Sequence, residues 1–162
     1  MRQVAFENQI VELQPDIMLV NKWNQLEVFI DKVFAQSNLN AIDMLLQISR
    51  QLKHHRELHY ACSVDNEEEL KQFFLDDLSH RITFASKKMA HNFVLGQQQK
   101  LYRNDISPEI VARYYAKRVL DLHNPNIFPP QKLSHKLIHL FMFESVIRSL
   151  STPDGLKYLT QS

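Results

Sequence analysis

The stretch Lys132-Leu-Ser-His-Lys-Leu-Ile-His-Leu-Phe-Met-Phe-Glu-Ser-Val-Ile-Arg-Ser-Leu150 decides the fold. Its apolar positions are Leu133, Leu137, Ile138, Leu140, Phe141, Met142, Phe143, Val146, Ile147 and Leu150, which follow helical and not alternating spacing. Together they surround most of the helix circumference. A helix that is apolar nearly all round must be buried on more than one side. The run is no membrane span: its densest part, Leu137 to Phe143, is interrupted by His139, well short of the roughly 20 apolar residues a bilayer asks for.

Upstream of this segment the same period recurs. Trp23, Leu26, Phe29, Ile30, Val33 and Phe34 make one apolar stripe of a first helix, and the polar patch Gln36 to Asn40 ends it. Ser37, Asn38 and Asn40 are candidate N-caps for a second helix carrying Ala41, Leu45, Ile48 and Leu52, with Leu46 and Ser49 beside that stripe. A third helix is expected to open at Asp65 or Asn66, with Glu67, Glu68 and Glu69 at the positive end of its dipole. If it runs unbroken to Lys100 it is about 50 Å long, and the β-branched pair Ile82–Thr83 is the place where it could break. Ser107-Pro108-Glu109 caps a fourth helix with Ile110, Val111, Tyr114, Tyr115, Val119 and Leu122 on its apolar side. Asn124-Pro125-Asn126 stops it, Pro129-Pro130 precedes the fifth, and Thr152-Pro153 caps a short terminal helix ending near Leu159. The fold class this predicts is an all-α helical bundle.

Composition excludes several classes of function. The chain has 162 residues, 44% hydrophobic and 23% charged, an ordinary globular mixture for one domain. Lysine and arginine number 19 against 18 acids, so there is no basic excess of the kind that phosphate-binding proteins carry. The two glycines, Gly96 and Gly155, cannot write a P-loop or a dinucleotide fingerprint. Cys62 is the lone cysteine, which leaves no disulfide framework and no cysteine-based zinc site. No signal-like apolar region opens the chain, and a cytoplasmic protein without a membrane partner is expected.

Candidate chemistry was weighed in the same way. His55 and His59, like His135 and His139, stand four apart and so share a helix face. No Glu-x-x-His accompanies them, and no metal or cofactor is expected. Glu144, inside the most apolar helix, reads either as a buried site carboxylate or as the partner of Arg148 four residues on. Without a nucleophile motif or converging titratable groups, no catalytic residue is assigned and no enzyme is expected. Tyr60, Phe84, His91, Tyr114, His139 and Met142 are the candidates to line a pocket between helices for a small apolar or aromatic effector. Most such side chains in a bundle are core.

The segment Gly96-Gln-Gln-Gln-Lys-Leu-Tyr-Arg-Asn-Asp-Ile-Ser-Pro-Glu-Ile110 resembles a recurrent segment of the C-terminal domain of TetR-family transcriptional regulators. There a helix end with Gly and an aromatic-Arg pair lead through a Pro-Glu start into the next helix. Arg148-Ser-Leu-Ser-Thr-Pro-Asp-Gly155 is similar to the segment that closes the last long helix in some members. Lys100 stands where many members carry a second Gly. The resemblance implies an effector-binding and dimerisation domain over residues 21–162, a homodimer formed through the last two long helices, and Tyr115, Val119, Phe141 and Ile147 at that interface. Val20-Asn-Lys-Trp-Asn-Gln-Leu26 is similar to the segment that follows the family's recognition helix. Residues 1–20, a remnant at most of a helix-turn-helix, carry Arg2 against Glu7, Glu12 and Asp16. A recognition helix needs positive charge for phosphates, so DNA is expected as a partner only if a helix-turn-helix is supplied upstream. The rival expectation is a stand-alone helical dimer acting through protein–protein contacts.

Overall fold

The computed structural model describes residues 23–52, 68–122, 127–129 and 132–161, and the backbone alone at 68–78, 116, 119–122 and 135. Among the described residues the regular structure is helical: α1 (23–34), α2 (Ala41–Leu52), α3 (Glu68–Gln98), α4 (Pro108–Leu122), α5 (His135–Leu150) and α6 (Pro153–Gln161). The bundle expected from the apolar spacing is therefore present. None of the described helices is long and apolar enough to cross a membrane. The expected caps of α3 at Asp65 or Asn66 and the N-terminal segment 1–20 lie outside the described residues.

The starts of α2, α4 and α5 have their chemical reasons. Asn40 caps α2: its Oδ1 accepts from the Asp43 amide at 2.9 Å, and its Nδ2 donates back to the Asp43 carboxylate at 2.8 Å. Ser107 Oγ accepts from the Ile110 amide at 3.2 Å, and Pro108 follows at the first helical position, where a missing N–H costs nothing. α5 starts later than expected. The Lys132 and Leu133 amides bond back to the Pro129 carbonyl, forming a turn, and Ser134 is the cap. The expected break in α3 does not occur: the helix runs through Ile82 and Thr83, and the Thr83 hydroxyl bonds the Ser79 carbonyl at 2.9 Å inside the continuous helix.

α3 is the axis of the molecule, packing against α2 and α4, while α2 also packs on α5. The core lies between them, built on Val33, Ile42, Leu45, Met89, Phe93, Tyr102, Val111, Phe143 and Ile147. α1 joins α3 through a seam with a different chemistry. Buried Arg81 pairs with Glu27 at 2.9 Å, donates to Asn24 Oδ1 at 3.0 Å and lies over the Trp23 ring. Further along, Lys88 pairs with Asp31 and sits over both Phe34 and Phe84.

The two segments that carry the TetR resemblance, about fifty residues apart in sequence, meet in space. α3 ends at Gln98, and two residues on Lys100 has a φ of 60°, the left-handed conformation that lets the chain reverse. The amides of Leu101 and Tyr102 then bond the Gly96 carbonyl. Tyr102 and Ser151 form an antiparallel bridge: the Arg103 amide donates to the Leu150 carbonyl at 2.8 Å and the Thr152 amide to that of Leu101 at 2.9 Å. The Thr152 hydroxyl donates to the Lys100 carbonyl at 2.8 Å and accepts from the Gly155 amide at 3.2 Å, so one side chain both caps α6 and ties it to the end of α3. Tyr102 turns into the core, stacks on Phe93 and donates to Asn92 Oδ1, while Asn92 Nδ2 donates to the Ala41 carbonyl at 2.8 Å. Gln99 Oε1 accepts from the Ala41 amide, and the Tyr158 hydroxyl reaches Asp43. This clasp fixes where α5 stops and therefore which of its faces turns outward.

Candidate functional site

Five of the six candidate lining residues are described, on α3, α4 and α5. Phe84 and His91 lie on α3 beside α1: Lys88 caps the Phe84 ring, and exposed His91 stands edge-on to Phe34 with centroids 5.5 Å apart. Tyr114 points outward from α4 under the Arg118 guanidinium. His139 and Met142 are buried on the inner side of α5. Tyr60 lies outside the described residues. Among the described residues Phe84 and His91 share the α1 side of α3, while His139 and Met142 share the inner side of α5. The chemistry that the seam and the core already satisfy explains most of them: cation–π contact for Phe84 and Tyr114, apolar burial for Met142.

Among the described residues no group of three or more His, Cys, Asp or Glu could hold an ion. His55 and His59 are outside the described set, and at His135 only the backbone is described. Glu144 is an exposed surface carboxylate that accepts from Arg148 Nε at 2.8 Å across one helical turn. Of its two readings, the ion pair is the one the structure contains.

The outer side of α5 is different. Its inner face buries His139, Met142, Phe143, Val146, Ile147 and Leu150. On the opposite side Leu137 is 66% exposed and Phe141 75%, with Leu140 also open to solvent and Leu133 exposed just before the cap. At 100° per residue, Leu137, Leu140, Phe141, Glu144 and Arg148 fall within about 100° of the helix circumference. Large apolar side chains scattered singly on a surface need no explanation; here three of them share one face of one helix. On α4, Ile110 and Tyr114 are exposed as well, and the same helix carries the Glu109–Arg113 ion pair at 2.9 Å.

The interface candidates divide accordingly. Phe141 is the most exposed large apolar side chain among the described residues. Tyr115 is half-buried and faces inward, its ring 6.5 Å from that of Phe143, and burial pushes its phenol up to about 12. Ile147 is 0% exposed and has no surface to offer a second molecule. Val119 lies on α4 with only its backbone described. Leu137, Leu140, Ile110 and Tyr114 share the exposure of Phe141 without having been chosen from the sequence as interface residues. The signal was present, because Leu137 precedes Phe141 by one turn and the Glu144–Arg148 pair continues the same line. All-round apolarity hid it, since the pattern alone does not say which half of α5 faces the core.

What this arrangement can do is bind another apolar surface. Its exposed groups are leucines, a phenylalanine and a neutralised ion pair, with no nucleophile or convergent acid–base pair on that face. Comparison with protein-family models, with curated proteins and with solved structures finds no match for this chain.

Proposed function

We propose that the chain is an effector-sensing and dimerisation domain of a TetR-like transcriptional regulator, working as a homodimer whose contact surface is the outer face of α5 with α4 beside it. The observation that carries the reading is that α5 buries one side within its own chain and leaves Leu137 and Phe141 bare on the other. The resemblance supplies the regulatory part. It is supported by the way its two sequence segments close on each other through Tyr102, Ser151 and Thr152. Lys100 adopts the positive φ for which the glycine of the family pattern is suited. DNA enters this reading only through a helix-turn-helix supplied upstream, and no catalytic step is assigned.

Light scattering coupled to gel filtration tests the dimer, and a melting screen against small apolar and aromatic compounds tests the sensor. A dimer whose melting temperature rises in a saturable, concentration-dependent way with a compound supports the whole reading. The burial of His139 and Met142 on the inner side of α5, with His91 and Tyr114 open to solvent, favours a second reading: a stand-alone helical dimer acting through protein–protein contacts. A dimer that no compound stabilises selects that one.

A further inference from the structure

Where the end of α1 meets α3, one cation is held against two aromatic rings and a carboxylate. Lys88 Nζ lies 5.2 Å from the Phe34 ring centroid, 5.3 Å from that of Phe84 and 2.5 Å from Asp31 Oδ1. These are the parts of an ammonium site: ring faces attract a cation through their quadrupole, and a carboxylate fixes its position. Quaternary ammonium groups suit such an aromatic setting best, because a bulky, weakly hydrated cation gives up little water on entering it. A lysine ammonium is a poorer match, being a compact, strongly hydrated charge on a flexible stem. We propose that Asp31, Phe34 and Phe84 form a binding site for a free organic ammonium ion, which Lys88 fills as an internal stand-in and yields to a quaternary one. The stand-in is free to leave. Its side chain is 29% exposed and that of Asp31 56%, and an ion pair this open to water holds weakly. The other cation of the same seam, Arg81, is 6% exposed and serves the fold. Phe34 and Phe84 are half-buried, so ring surface is left for a ligand once the lysine swings into solvent.

This site lies away from the outer face of α5 and stands whether or not the chain is a dimer. Its test is a titration of the full chain with choline, followed by nuclear magnetic resonance of the aromatic side chains. The control is 3,3-dimethylbutan-1-ol, which has the same shape without the charge. Choline is expected to shift the Phe34 and Phe84 ring signals saturably, and the alcohol to leave them in place at the same concentration. Lys88→Met removes the competing charge and keeps the stem, so choline affinity should rise about fivefold, while Asp31→Asn should lower it by a similar factor. An equal response to choline and the alcohol overturns the site, as does an affinity that neither variant changes. Phosphatidylcholine vesicles present the same head group on a surface, and capture by them without binding of free choline would also overturn it.

Discussion

Gly96 and Gly155 each face a neighbour that a Cβ would strike. At Gly96 the added carbon would lie 2.0 Å from the Tyr102 ring, and at Gly155 it would lie 2.2 Å from the Leu101 carbonyl oxygen. Tyr102 cannot retreat, because it is buried, stacked on Phe93 and hydrogen-bonded to Asn92. Gly96→Ala is therefore expected to destabilise the protein by about 2–3 kcal/mol, read as a lower midpoint in urea. Lys100→Gly should act in the opposite direction. The left-handed conformation costs an L-residue about 1–2 kcal/mol, partly offset by glycine's larger entropy loss, so a net gain of about 0.5–1 kcal/mol is expected in the same titration. Burial pushes the Tyr102 phenol well above its ordinary value, so the neutral form is the one the fold keeps. Its contribution is complete below a pH of about 10 and is lost as the pH rises past it. Urea midpoints measured across that range should fall, and Tyr102→Phe should flatten the fall. At this scale the sequence was partly legible: the segments around Gly96 and Gly155 stood out by resemblance, but nothing in them said that Tyr102 and Thr152 would meet.

The seam between α1 and α3 shows what helical spacing leaves unread. Apolar period places Leu26 and Val33 in the core, where they lie, yet Arg81 is as well buried as many of the leucines, because Glu27 pairs with it, Asn24 accepts from it and Trp23 covers it. Which charges a helix buries depends on what the neighbouring helix offers, and one helix's pattern does not contain that. A buried cation stripped of its carboxylate is costly, so Glu27→Ala is expected to lower stability by about 3 kcal/mol. The double variant Glu27→Leu with Arg81→Met should recover most of that loss in thermal melts. A double variant whose loss equals the sum of the losses from the two single variants would show that the pair is not coupled. α3 is the second case. Ile82 and Thr83 favour a break by propensity, but packing against α2 and α4 outweighs a preference worth only a few tenths of a kcal/mol per residue. α5 is the third: its helix was plain from the apolar count, its late start at Ser134 and its open face were not, because both depend on where Pro129 and the clasp set its ends.

For the molecule as a whole, α5 divides in two: one side holds the chain together, and the other is exposed and is the face proposed above to meet a second copy. Neighbouring residues on this helix should then fail in different ways. Met142 is buried, so Met142→Glu places a charge in the core and should unfold the protein. Phe141 projects into solvent, so Phe141→Asp should leave the helical circular dichroism and the fold intact. The all-helical architecture and its core were readable from spacing and caps, since both are local. The outer face was not, because exposure is a property of the assembled bundle. The most direct measurement is the mass in solution, by light scattering at micromolar concentration, of the unaltered protein beside Phe141→Asp. The account predicts twice the chain mass of 19.2 kDa for the first and the single-chain mass, still folded, for the second. A monomer for the unaltered protein, or a dimer that Phe141→Asp does not disturb, would contradict it.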